Sequence, residues 1–160
     1  MELDNQQRRY GWLGGIIDGE GYIVLNSRQQ TKRRERNLVP MFGIVNTDEL
    51  LITTVESLLT ELGVGYYRND RAATSKWKKT MRIVVAGAKR CSKFLTAVQP
   101  YLISKKNHAE LVLEFIESRL SKNRLLPYSE RELEIYAALK RRTQRTSNPL
   151  NEHTLQPMLG

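Results

Sequence analysis

Two hydrophobic periods alternate along the chain. From Gln6 to Asp18, Tyr10, Leu13 and Ile17 recur at helical spacing with Trp12 and Ile16 beside them, and Gly19 and Gly21 end the run. From Gly21 to Gln30 the period drops to two. Tyr22, Val24, Asn26 and Arg28 share one side and Ile23 and Leu25 the other, which predicts a strand. A polar loop around Thr31 to Arg36 leads to a second predicted strand, Leu38 to Asn46. Phe42 and Ile44 point to its core side, and Met41 and Gly43 to its exposed side. Pro40 lacks an N–H and is expected at an edge or a strand end.

The same unit then returns. Thr47 is expected to cap a helix carrying Leu51, Val55, Leu58, Leu59 and Leu62, which Gly63 stops. Gly65 to Asp70 and Lys78 to Ala86 read as two strands joined by a basic loop. Helices are predicted from about Ala88 to Val98, ending before Pro100, and from about Lys105 to Leu120. A last helix runs from a capping box of Ser129 and Glu132 to about Arg142. The order is helix, two strands, helix, two strands, then helices. It fits an α+β fold in which four antiparallel strands form one sheet, helices cover one face, and the other face stays open. The 160 residues suit a single domain, with a core from about 6 to 120, a basic helical extension from about 121 to 146 and a flexible tail from 147 to 160.

Composition narrows the partner. The lone cysteine, Cys91, excludes an internal disulfide framework and fits a reducing setting, and two histidines are too few for a His-rich metal site. No apolar stretch is long enough to span a membrane, and the first residues lack the apolar run of a secretory signal. An intracellular protein is therefore expected. The 26 basic against 17 acidic residues give a net charge of +9, which suits a polyanion. The surplus is clustered. Arg28, Lys32, Arg33, Arg34 and Arg36 flank the first hairpin loop; Arg68, Arg71, Lys76, Lys78, Lys79 and Arg82 flank the second; Lys140, Arg141, Arg142 and Arg145 end the last helix. Hairpin tips are places where charge is easily solvated, but both hairpins share the bias and the last helix adds a third patch. Asn26, Arg28 and Gln30 share one strand parity, and Lys78, Thr80 and Arg82 another. An open sheet face of this kind suits base readout, because Arg pairs with guanine, Asn or Gln with adenine, and β-ribbons fit the major groove. Loop lysines and arginines suit phosphates. The basic segments have no apolar helical face to insert into a membrane surface.

The segment Leu13-Gly14-Gly15-Ile16-Ile17-Asp18-Gly19-Glu20-Gly21 carries two costs. Gly11, Gly14 and Gly15 each disfavour a helix by up to about 1 kcal/mol against alanine, which implies a close backbone neighbour. Asp18 and Glu20 sit at the negative end of the helix dipole, a penalty of roughly 0.3 to 1 kcal/mol each that a divalent cation would reverse. Taken alone, an acid in a helix-ending turn is commonplace.

LGGIIDGEG resembles the signature of the LAGLIDADG homing endonucleases. FGIVNTDELL at 42–51, GVGYYRND at 63–70 and FLTAVQPYLISKKNHAELVLEFIE at 94–117 resemble corresponding parts of the single-motif, intron-encoded branch. The resemblance implies an α-β-β-α-β-β-α core whose saddle-shaped sheet lies over the DNA major groove. A single signature implies a homodimer reading a pseudo-palindromic double-stranded site, with Gly11, Trp12, Gly14, Gly15 and Asp18 at the helix pair between protomers. It further implies that Glu20, with the carbonyl of Gly19, binds Mg²⁺ (or Mn²⁺ or Ca²⁺) between the scissile phosphates. Lys105, with Lys106 as its competitor, would stabilise phosphate charge, and Asn46, where relatives carry Gln, would order water. The implied DNA-face residues are Asn26, Arg28, Gln30, Arg33, Arg68, Asp70, Lys78, Thr80 and Arg82, with Arg141 and Arg142 on phosphates. The implied activity is site-specific hydrolysis of both DNA strands, and the implied setting is an organellar or microbial genome. The same scaffold also serves as RNA maturase or non-cleaving DNA binder. A basic structural protein such as a ribosomal one is the third reading, which the signature argues against.

Overall fold

A computed structural model describes residues 1–29, 36–123 and 125–147, with the side chains of Gln29, Arg36 and 141–147 excepted. Its elements are α1 (Glu2–Glu20), β1 (Gly21–Gln29), β2 (Arg36–Asn46), α2 (Glu49–Glu61), β3 (Tyr67–Arg71), β4 (Thr80–Ala86), α3 (Ala88–Val98), a 3₁₀ turn (Gln99–Tyr101), α4 (Lys106–Leu120) and α5 (Glu130–Ser147). The four strands form one antiparallel sheet in the order β1-β2-β4-β3, so each hairpin contributes one central and one edge strand. Of the tail expected from 147 to 160, Ser147 ends α5 instead, and 148–160 lie outside the described residues. Among the described residues, no helix is long and apolar enough to cross a membrane.

Period-two patterning sets which face is buried. Ile23 and Leu25 of β1, Leu38, Phe42 and Ile44 of β2, and Met81, Ile83 and Val85 of β4 all point to the helices and form the core with Leu13, Ile17, Ile52, Val55, Leu59, Phe94, Leu95, Val112 and Phe115. Phe42 stacks on Phe94 with ring centroids 3.7 Å apart, tying the centre of the sheet to α3. Such a pair adds about 0.5–1.5 kcal/mol beyond its buried area. Cys91 is buried in the same layer, and burial pushes its thiol up to about 12, so it packs as a small hydrophobe rather than reacting.

Pro40 lies in a central strand rather than at an edge. It is accommodated because β4 ends opposite Met41, which pairs with Ala86. The Pro40 carbonyl accepts the Gly87 N–H (2.9 Å) and the Cys91 thiol (3.3 Å). Carbonyl and nitrogen of one strand residue face the same side, so the missing N–H falls where no strand runs. At α2 the cap is Asp48, not Thr47: its carboxylate accepts the N–H groups of Leu50 (2.9 Å) and Leu51 (3.2 Å). Gly63, at φ +64°, ends the helix with Val64 N–H returning to the Leu59 carbonyl, the six-to-one bond of a Schellman turn. The capping box of α5 forms as expected, with Glu132 N–H to the Ser129 hydroxyl (3.2 Å) and Ser129 N–H to the Glu132 carboxylate (3.0 Å). Glu132 is fully buried and also accepts from Ser118, Arg119 and Lys122, which fastens α5 to α4.

Candidate nucleic-acid interface and metal site

The end of α1 runs into β1 without a loop. Gly21 makes this possible: a Cβ there would lie 2.9 Å from the Ile17 carbonyl and 3.2 Å from that of Gly43. Glu20 is therefore presented on the surface at the last helical position, directly beside the sheet. Gly19 is exposed too, and a Cβ on it would meet open space.

Asp18 turns inward to its own chain. Its carboxylate accepts three consecutive N–H groups ahead of α4, from Ile103 (2.7 Å), Ser104 (3.3 Å) and Lys105 (2.9 Å). Successive N–H groups of this kind make an anion-holding concavity, and α4 has no side-chain cap of its own. Partial burial works against the charge, but the donors, Ile103 and Lys105 foremost, hold the carboxyl below its ordinary 3.8. A depressed folded pKa gives stability that is present above the unfolded value and lost as pH falls through the folded one. Asp18→Asn should therefore lower stability at neutral pH and flatten its decline below about pH 4, as measured by urea unfolding across roughly pH 3 to 7. An unchanged acid limb would show that Asp18 contributes nothing there.

That lock fixes Lys105. Its ammonium donates to the Asp18 carbonyl, so a positive charge sits at the C-terminus of α1, one turn or less from Gly19 and Glu20. This placement also suits the helix dipole. Lys106, the first residue of α4, is exposed. Asn46 ends β2 just past the Gly21–Ile44 pair and so lies at the same end of the sheet. Its Oδ1 accepts the Asp48 N–H (2.8 Å).

The glycines of α1 divide into two groups. Gly14 is buried, and a Cβ there would lie 2.8 Å from Tyr101 Cβ and 3.2 Å from its carbonyl oxygen; Gly11 faces the Tyr101 ring at 3.7 Å. Gly14 makes room for the chain's own 3₁₀ turn and Asp18 binds residues 103–105, which corrects the expectation that these two face a second protomer; at Gly11 an added Cβ would make only ordinary contact with the ring. Gly15 and Gly19 meet nothing within 4 Å and, with Trp12 (38% exposed), lie on the outer side of α1.

The open face of the sheet carries Tyr22, Val24, Asn26 and Arg28 from β1 and Thr80 and Arg82 from β4, as the parity predicts. Met41 and Gly43 have the expected parity but are buried, Gly43 beneath the Tyr22 ring. Arg68 and Asp70 are on the opposite face: they pair with Ile83 and Met81, whose side chains are in the core. Arg68 bonds Glu56 of α2 and Asp70 (both 2.9 Å), and its hydrogen bonds hold the Asp70 carboxyl down. The β3 residues on the open face are Tyr67, Asn69 and Arg71, none of which the resemblance assigned to the DNA face. Lys78 precedes β4, in a turn where the Thr74 N–H donates to the Trp77 carbonyl (2.8 Å) and Trp77 stands 69% exposed between Lys76 and Lys78. Gln30 and Arg33 lie outside the described residues. Arg141 and Arg142 lie in α5, their side chains undescribed.

This helix-to-strand corner beneath an open, polar sheet face defines a class. The LAGLIDADG-like domain model matches residues 8–99, more than half of the chain. The chain belongs to the LAGLIDADG-like domain family. DNA endonuclease I-CreI of Chlamydomonas reinhardtii is 29% identical over 106 residues, which are 66% of this chain and 61% of that protein. The chain thus matches less than two thirds of that curated relative. Among solved structures, the archaeal intron-encoded homing endonuclease I-Vdi141I complexed with DNA superposes with a TM-score of 0.65 at 19% identity, covering 85% of this chain and 84% of that one. The homing endonuclease I-CvuI in complex with its target in the presence of calcium gives 0.60 at 19% identity, covering 71% and 69%. I-SmaMI bound to uncleavable DNA gives 0.63 at 19%, covering 82% of this chain and 43% of that one. The sheet and its helices are those of the homing endonuclease fold.

Proposed function

We propose that this protein is a site-specific, divalent-metal-dependent DNA endonuclease that acts as a homodimer on a long pseudo-palindromic duplex. The observation that carries the reading is the corner of α1, where exposed Glu20 and the fixed ammonium of Lys105 share one end of a basic, open sheet. Three fold relatives are described with DNA or with a target, and I-CreI by name as a DNA endonuclease.

The donor set fits a hard cation. Glu20 offers a free carboxylate and Gly19 a backbone carbonyl, both oxygen ligands of the kind Mg²⁺ takes with phosphate oxygens and water. Among the described residues, no group of three or more His, Cys, Asp or Glu could hold a metal within one chain. A second Glu20 from a partner protomer, together with DNA phosphates, completes the set. When bound, the ion supplies neutralisation of phosphate charge and easier ionisation of water. The chain's own groups do the rest. Lys105 holds a positive charge toward the phosphate, restrained by the Asp18 carbonyl. Asn46 offers its amide to order water at the site. Arg28, Asn26 and Arg82 present donors and acceptors to base edges. The outer stripe of Trp12, Gly15 and Gly19 gives α1 a close-approach surface for its symmetry mate, which would bring the two Glu20 carboxylates together.

The test is incubation with randomised duplex DNA in Mg²⁺ and sequencing of the cleaved ends, alongside light scattering. A double-strand cut within one roughly palindromic sequence, made by a dimer, is the expected outcome. Intact DNA with no enriched sequence, or cutting of both strands by a stable monomer, contradicts the proposal.

A further inference from the structure

Gly43 has no conformational need to be glycine, because positive φ occurs only at Gly63 and Gly87 among the described residues. What it supplies is space. A Cβ at position 43 would lie 2.4 Å from the Tyr22 hydroxyl and 2.5 Å from Tyr22 Cζ. Tyr22, paired with Gly43 across the β1–β2 ladder, uses that space to lie over β2 and reach β4. There its hydroxyl accepts a hydrogen bond from Arg82 Nη2 at 2.7 Å, and the guanidinium carbon lies 5.8 Å from the ring centroid. Arg82 is exposed on the open face, opposite Asn69 of β3. Three strands thus cooperate to restrain one exposed arginine.

A guanidinium carries five N–H donors in a rigid fork. The Tyr22 oxygen engages one, and four remain, enough for a bidentate pair with the N7 and O6 acceptors of guanine. The phenol proton is directed away from the cation that donates to its oxygen and is available to a further acceptor. An arginine already held gives up less rotamer freedom when it binds than one sampling solvent.

Resting on the DNA-reading role proposed above, we propose that Tyr22 is a positioning residue that pre-orients Arg82 for recognition of a guanine in each half-site, and that Gly43 is the aperture this requires. The experiment is selection of bound duplexes from a randomised library in Ca²⁺ with the wild type and with Arg82→Ala, Tyr22→Phe and Gly43→Ala. Wild type should enrich guanine at a symmetry-related pair of positions, and Arg82→Ala should lose that preference. Tyr22→Phe and Gly43→Ala should each weaken it roughly tenfold at that pair alone, with melting temperature unchanged. Tyr22→Phe added to Arg82→Ala should cause no further loss there. A Tyr22→Phe profile identical to wild type, or affinity lost evenly at every position as for a phosphate contact, overturns the inference. A wild type that enriches no sequence overturns the DNA-reading role itself.

Discussion

Glu20→Gln is expected to slow cleavage of the selected site by at least about 10³-fold while leaving binding in Ca²⁺ within a few-fold of wild type. The substitution preserves size and removes only the charge and one ligand oxygen. Glu20 is exposed at the end of α1 and makes no side-chain hydrogen bond or ion pair among the described residues, so the fold loses nothing with it. The two carboxylates that a dimer brings together repel each other and the phosphates until a cation neutralises them. Their removal therefore relieves binding as much as it harms it. Single-turnover cleavage in Mg²⁺ and gel-shift titration on the same duplex separate the two effects. Cleavage at the wild-type rate would remove Glu20 from the chemistry.

Gly14→Val is expected to cost about 3 kcal/mol of stability and roughly 10 °C in melting temperature. The first added carbon already falls 2.8 Å from Tyr101 Cβ and 3.3 Å from its carbonyl carbon, where part of the obstruction is backbone and cannot rotate away. The gain of up to about 1 kcal/mol from replacing a helical glycine does not offset that overpacking. Gly15→Ala gives the opposite result in the isolated chain. Open space surrounds the new methyl, so the helix gains and the melting temperature of dilute monomer rises. Self-association read by light scattering should weaken if the outer side of α1 is where a second protomer sits. Thermal unfolding of the two variants side by side decides which glycine serves the chain itself; equal shifts would refute the division.

What the sequence makes legible follows from which contacts leave a periodic trace. The two helix-strand-strand units, the position of α3 and the α5 capping box are all written locally, in periodic spacing or in residues three apart. The β3 register is not. Tyr67-Arg68-Asn69-Asp70-Arg71 has polar side chains on both faces of an edge strand, so parity alone cannot assign them. The deciding partner of Arg68 is Glu56 on α2, twelve residues away. Tyr67, the large aromatic of this edge strand, faces outward at 61% exposed. The roles of Gly14 and Asp18 were hidden for a similar reason. Both are explained by residues 101–105, more than eighty positions later, and no local pattern reports a contact at that separation. The preference for Lys105 over Lys106 rests on that same remote contact.

The bridge from Asp18 to residues 103–105 has a consequence for how the molecule comes into being. Every strand of the sheet is encoded before residue 87, whereas the lysine at the corner is encoded at 105 and held in place by a segment that must close back onto α1. On a ribosome, where chains fold from the N-terminus onward, the strands of the proposed DNA-reading face are synthesised well before the last charged group of the proposed metal corner arrives. The sheet face and the corner therefore become firm together, once α4 brings Val112 and Phe115 into the core beside the strands.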